Sequence, residues 1–248
     1  MKFRTTLNKE IYKFHKKYFY WKYIYVLGDS HTRIFHFINK ISTTKEKFIV
    51  KLVMGATALG LVNPNSISNA LLEYREFLKK VNKKSKIIFL LGEVDAGFLI
   101  WHRSEKKGLG IDDQLHESLN NYISFIKECI HAGYKNIYVL SIPLPTISDG
   151  QNWGEIANKR KEVKASQLER TSLTLKYNNL LKDSLKKLNV QFIEMDNDLL
   201  SPQNGLIKDE FINKNKLDHH LERKLYADII QKALQQNKVI HTAHDQRK

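Results

Sequence analysis

Residues 23–35 read YIYVLGDSHTRIF, and this stretch decides the fold. An apolar, β-branched and aromatic run stops at Gly28 and continues with helical spacing, which predicts a buried strand, a tight turn and a helix. A serine in such a turn, here Ser30, can cap the helix, and its own backbone N–H then lies where negative charge is favoured. The stretch is therefore typical either of a simple helix cap or of a serine nucleophile with an oxyanion donor beside it.

Strand-like and helix-like segments alternate along the rest of the chain. Further strands are predicted over residues 47–53, 86–91, 136–142 and 190–195, and helices over residues 66–81, 112–132, 168–188 and 221–234. The strand over 86–91 shows no polar alternation, which indicates burial on both faces. Such alternation implies βαβ crossovers and a mostly parallel sheet sandwiched between helices.

Length and composition are those of a single globular domain: 248 residues, of which 42% are hydrophobic and 27% charged. We expect one α/β domain over residues 23–236 and a polar C-terminal tail over residues 237–248. Residues 1–22 mix lysines with aromatic residues and are expected to form a basic helix or arm. That segment either packs on the domain or makes peripheral contact with a membrane.

The formal net charge of +15 predicts attraction to a polyanion: nucleic acid, anionic lipid, acidic polysaccharide or a phosphorylated cofactor. Nucleic acid is disfavoured, because the sequence has no zinc-finger spacing, RNA-recognition motif or phosphate-binding loop. The single cysteine, Cys129, permits no intramolecular disulfide, and no apolar run approaches the length of a membrane span. We therefore expect a cytoplasmic protein, and peripheral contact with the inner membrane through the basic N-terminus stays the alternative to packing of that segment on the domain.

Polar residues with catalytic chemistry follow the predicted strands. Ser30 follows the first strand, Gly55 the second, and the carboxylates Glu93 and Asp95 the third. Sites in parallel sheets lie beyond the carboxyl ends of the strands. Histidines precede the last helix, and histidine suits the activation of a serine near neutral pH. A glycine can bring its backbone N–H close to an oxyanion, since no side chain obstructs the approach.

These blocks resemble the SGNH (GDSL-like) hydrolase superfamily. The resemblance is carried by Gly28-Asp29-Ser30-His31, Gly55, the block that begins at Gly92, and His220-Leu221. It implies a three-layer α/β/α, flavodoxin-like fold and serine chemistry on acyl esters. It further implies Ser30 as nucleophile, His220 as general base, and the backbone N–H groups of Ser30 and Gly55 as oxyanion donors.

Two positions depart from the family pattern. Val94 stands where the family usually has an asparagine that donates to the oxyanion, and loss of such a donor costs on the order of 100- to 1000-fold in rate. The resulting Gly-Glu-Val-Asp block looks like a bacterial branch associated with surface-polysaccharide biosynthesis. In the last block Leu217 replaces the usual aspartate, so Asp218 is expected to complete the triad from two residues before the histidine. The base could also be His219, or a backbone carbonyl could hold the histidine in place of Asp218.

Several other residues are expected to bind substrate or support the site. They are Asp29, His31, Glu93, Asp95 and Trp153. For Glu93 and Asp95 we favour a supporting function over catalysis. A bound metal is not expected, because the sequence lacks the spaced ligand set of a tetrahedral site.

Three functions are compatible with the sequence. The first is an O-acetyltransferase that uses acetyl-CoA as acyl donor and an acidic or neutral glycan as acceptor. The second is a carbohydrate or small-ester esterase with the same residues. The third is a non-catalytic module that binds acidic glycans. The basic charge favours the first, since acetyl-CoA is anionic and intracellular.

Overall fold

A computed structural model of the protein describes residues 22–150, 163–215 and 217–241. Its centre is a parallel sheet of five strands in the order β2-β1-β3-β4-β5. The strands are β1 (Tyr23–Gly28), β2 (Lys47–Leu52), β3 (Lys86–Leu90), β4 (Asn136–Leu140) and β5 (Gln191–Ile193). This is the flavodoxin-like strand order, and it confirms the predicted fold class.

Seven α-helices connect and cover these strands in the described residues. They are α1 (Ile34–Ile41), α2 (Ala70–Leu78), α3 (Ile100–Lys107), α4 (Ile111–His131), α5 (Gln167–Lys186), α6 (Asp196–Leu199) and α7 (Arg223–Gln236). The helix expected over residues 66–81 is shorter, because Asn69 adopts a left-handed conformation immediately before α2. Helix α3 is not anticipated by the sequence patterns.

Side chains alternate across β1 and serve two cores. Tyr25 and Leu27 pack on the face covered by α2, α4 and α5. Ile24 and Val26 pack on the opposite face, under α1 and α7. Because β1 is buried on both sides, it needs the continuous apolar run that its sequence shows.

The loops after β2, β1 and β3 leave the sheet at one edge. Gly28 at the end of β1 is level with Leu52 of β2 and with Leu90 of β3. A Cβ atom on Gly28 would lie 1.8 Å from the Leu90 carbonyl oxygen, so only glycine allows the turn to approach β3 so closely. The next strand along the chain, β2, lies on one side of β1, and β3 lies on the other side. The connections therefore diverge at the end of β1 and leave a crevice, which is where ligands of such sheets bind.

The end of the domain lies beyond the predicted boundary at residue 236. Val239 and Ile240 are buried in the core under α1 and α7. The ammonium group of Lys86 donates to the Val239 carbonyl oxygen at 2.6 Å. The prediction of a polar tail over residues 237–248 is therefore corrected for residues 237–241, since two apolar side chains there complete the core. Residues 242–248 lie outside the described part of the chain.

The predicted N-terminal arm also lies outside the described residues, apart from Lys22. Within the parts of the chain that the structure describes, no helix is long and apolar enough to cross a membrane.

Candidate active site

Ser30 opens a short 3-10 helix, Ser30–Arg33, directly after β1. The cap of this helix is Asp29, whose carboxylate accepts the His31 backbone N–H at 2.8 Å. The alternative in which Ser30 is only the helix cap is therefore wrong. Its hydroxyl is left available for another partner.

That partner is His220. Its Nε2 lies 2.8 Å from Ser30 Oγ, and its Nδ1 lies 2.6 Å from a carboxylate oxygen of Asp218. The same oxygen accepts the His220 backbone N–H at 3.1 Å. Because a carboxylate only accepts, Nδ1 carries the proton and Nε2 presents its lone pair to the serine. The three side chains thus form one hydrogen-bonded chain in the order required to activate a serine.

The electrostatics of this chain suit a general base. Burial and the neighbouring His31 lower the pKa of His220 and outweigh the opposing effect of Asp218. Burial raises the pKa of Asp218, but its hydrogen bonds from His220 outweigh burial and leave that pKa below its usual range. Near neutral pH the imidazole is therefore uncharged beside an ionised carboxylate.

A second aspartate–histidine pair faces the first. His31 Nδ1 lies 3.0 Å from the oxygen of Asp29 that accepts the His31 backbone N–H, so the pair repeats the Asp218–His220 geometry. The His31 and His220 rings are 4.8 Å apart. His219 stacks on His220 at 4.3 Å, and its carbonyl oxygen accepts the Thr146 hydroxyl. The structure places His220, and not His219, on Ser30.

Asp95 holds the loop after β2. Its fully buried carboxylate accepts the backbone N–H groups of Ala58 at 2.8 Å and Leu59 at 3.0 Å, and the Ser118 hydroxyl at 2.9 Å. Burial raises the pKa of Asp95 to about 6 despite these hydrogen bonds. Glu93 is buried as well, and its charge raises the pKa of His220. Asp95 therefore contacts the loop that carries Gly55 and acts as a positioning residue.

The predicted oxyanion donors lie in two neighbouring turns. Gly55 has a φ of +65°, a conformation that favours glycine, and it lies in the turn after β2. No described residue accepts a hydrogen bond from the backbone N–H of Ser30 or of Gly55. Both groups are thus available to an oxyanion, and these assignments stay predictions. The half-buried Val94 has no side-chain donor to add.

A cavity of about 210 Å³ opens beside Ser30 and His220, between α1 and the loop that precedes α7. Phe37 and Tyr226 contribute to its wall, whereas Gly55 does not. The sequence patterns do not single out this face of α1, although Arg33, Phe37 and Lys40 have the spacing of one helical face. Trp153, which is predicted to contact substrate, lies outside the described residues.

One group of potential metal ligands lies in this site. Among the described residues, Asp218, His219 and His220 offer ligand atoms within 4.8 Å of one another. Both ring nitrogens of His220 already bond to Ser30 and Asp218, so a metal would have to displace the serine or the aspartate.

No family model matches the sequence, and no curated protein matches it by sequence comparison. Solved structures do share its fold. A Streptococcus pneumoniae protein described as a platelet activating factor superposes with a TM-score of 0.57. The two sequences are 19% identical, and the match covers 86% of this chain and 82% of that chain. A Bacteroides fragilis protein described as an acylhydrolase gives 0.57 at 16% identity, covering 88% of each chain. A GDSL-like lipase from Bacteroides thetaiotaomicron gives 0.56 at 15%, covering 88% and 87%.

The low pKa of His220 can be measured without any substrate. We expect the His220 ring signals in a pH titration followed by NMR to report a midpoint below 6.5, the ordinary value, because burial and His31 disfavour the imidazolium. A His31→Gln variant should move the midpoint upwards. His219→Gln and His220→Gln serve to assign the signals. A midpoint above 6.5 for His220 would contradict this description of the site.

The function of Asp95 as a support is also open to test. Asp95→Asn replaces one accepting oxygen by an amide that cannot accept from the loop, and it should cost about 1–3 kcal/mol of unfolding free energy. Hydrogen exchange at the Ala58 and Leu59 amides should accelerate. Asp112→Asn, at an exposed carboxylate bonded to Lys176, is the matched control. Unchanged exchange at both amides would show that Asp95 does not hold the loop.

Proposed function

We propose that the protein is a serine-dependent O-acyltransferase that moves an acetyl group to a sugar hydroxyl through an acyl-Ser30 intermediate. The observation that carries this proposal is the hydrogen-bonded chain Ser30–His220–Asp218. It lies at the crevice of a flavodoxin-like sheet and beside a cavity. A binding module would have no need of a serine aligned with a neutral histidine and a carboxylate.

In the first step, His220 Nε2 takes the proton of Ser30 Oγ as that oxygen attacks the acyl carbonyl carbon. The backbone N–H groups of Ser30 and Gly55 stabilise the oxyanion of the tetrahedral intermediate. The intermediate collapses, and the leaving group departs with the proton that His220 returns. Asp218 stabilises the imidazolium that forms in between and keeps the ring oriented.

In the second step, His220 takes the proton of the acceptor hydroxyl as its oxygen attacks the acyl-serine carbonyl. Collapse of this second intermediate breaks the bond to Ser30 Oγ, which recovers its proton from His220. The two backbone N–H groups are the only oxyanion donors in this proposal, because Val94 replaces the asparagine whose side chain would be the third. The transition state is therefore less stabilised than in relatives that keep the asparagine. We therefore expect slow turnover.

The acyl donor in this proposal is acetyl-CoA, and the acceptor is a glycan of a bacterial surface or capsular polysaccharide. The net charge of +15 supports an anionic donor. The resemblance of the block Gly92–Asp95 to a branch associated with surface polysaccharides supports a sugar acceptor. The same donor supports a cytoplasmic location, with residues 1–22 in contact with the inner membrane.

A second candidate is an esterase that uses water as the acceptor. It is supported by the likeness in fold to proteins described as a GDSL-like lipase and an acylhydrolase. The catalytic residues are the same in both candidates. They differ only in whether a sugar hydroxyl or water attacks the acyl-serine.

Incubation with acetyl-CoA, with and without an oligosaccharide acceptor, and separately with a simple acetyl ester, distinguishes the candidates. We expect glycan-dependent release of CoA and an acetylated glycan. Ser30→Ala should lower this rate on the order of 10⁴-fold or more, because the reacting oxygen is lost. Ser172→Ala, at an exposed helical serine, should retain it. Ester hydrolysis alone would establish the esterase, and activity that survives Ser30→Ala would overturn both candidates.

A further inference from the structure

The cavity beside Ser30 has a cationic rim. Arg33, Lys40 and Arg223 all contribute to its wall. Its apolar part comes from side chains such as Phe37 and Leu221. Three residues with a permanent positive charge thus line one small concave space next to the proposed nucleophile. The Arg33 guanidinium also lies 3.5 Å from Met54 Sδ.

Two elements bring these cations together. Arg33, Phe37 and Lys40 follow one another at intervals of four and three residues, so they share one face of the helical segment that leaves Ser30. Arg223 opens α7 on the other side of the cavity, and its guanidinium carbon lies 5.7 Å from the centre of the Phe37 ring. The aromatic ring orients this arginine along the cavity wall.

No carboxylate neutralises these three cations among the described residues. Neighbouring cations differ in this respect: Lys224, next to Arg223, is 2.7 Å from Asp228. Among the described residues of the cavity wall, Asp218 is the one carboxylate, and its interaction with His220 already engages it. The rim therefore keeps a positive field that falls on whatever enters the cavity.

We propose that this cavity binds a negatively charged group, a carboxylate or a phosphate, on the substrate whose acyl group Ser30 attacks. Arg33, Lys40 and Arg223 determine this specificity. The inference rests on the proposed function and specifies its substrate as an anion. Planar guanidinium groups bind both oxyanions through paired hydrogen bonds, and a lysine adds a point charge.

The cavity is small for a complete ligand. Its volume of about 210 Å³ is below the roughly 300–1,000 Å³ of common ligand pockets. It therefore takes the charged end of a substrate, while the rest stays outside. That end is a phosphate if the acyl donor is acetyl-CoA, and a carboxylate if the acyl donor is an acetylated acidic sugar.

A matched pair of acetyl esters tests the specificity: para-acetoxybenzoate, which is anionic, and its neutral methyl ester. The ratio of kcat/KM should favour the anion by about tenfold or more, chiefly through KM, and should fall with added salt. Arg33→Gln combined with Arg223→Gln should lower the ratio about tenfold. Lys80→Gln combined with Lys84→Gln removes two charges before β3, at the opposite edge of the sheet, and should preserve it.

A ratio near one in the wild type, or an equal fall in both double variants, would overturn the inference. If neither ester is turned over, the assay with acetyl-CoA and an oligosaccharide decides the proposed function, and binding decides the inference by itself. Calorimetry on the Ser30→Ala protein would then compare coenzyme A, D-glucuronate and neutral D-glucose. Tighter binding of either anion than of glucose, weakened by Arg33→Gln with Arg223→Gln, supports the site and identifies phosphate or carboxylate. Binding of neither anion overturns it.

Discussion

The site depends on the backbone pairing of β1 between β2 and β3. This pairing places the end of β1 level with the ends of both neighbours, so three loops meet at one edge of the sheet. Gly28 allows the turn to lie against the Leu90 carbonyl, and Ser30 follows two residues later. The hydrogen bonds of Asp95 then hold the loop after β2 to the segment that follows β3. The position of Ser30 is therefore a consequence of strand register.

The histidine reaches the serine from the opposite end of the chain. Asp218 holds it through two hydrogen bonds to one oxygen, one from the His220 backbone and one from its ring. Asp29 holds His31 in the same way. In both pairs an aspartate orients the histidine two residues later. Its short side chain lets the carboxylate reach the backbone N–H of that histidine, as in an Asx turn. This local geometry supplies a carboxylate to His220 although Leu217 stands where the family that the sequence resembles has its aspartate.

Much of the fold was predictable from the sequence, because strands buried on both faces need continuous apolar runs. The residues that follow the strands were predictable as well, because the end of each apolar run marks the end of its strand. The helical face of Arg33 and Lys40 was not predicted, since exposed cations on a helix are normally solvated and their convergence depends on how α1 packs beside α7. The boundary at residue 236 was misplaced, because a short apolar pair after a helix shows its burial only in three dimensions.

We propose that His220 and Asp218 make Ser30 a nucleophile. The most direct measurement is labelling with a fluorophosphonate, an electrophile that reacts with activated serines whatever the natural acceptor, followed by intact-protein and peptide mass spectrometry. We expect a single phosphonyl adduct on Ser30 in the wild type and strongly slowed labelling in His220→Gln. An unlabelled wild type, an adduct on another serine, or equal labelling of His220→Gln would contradict it.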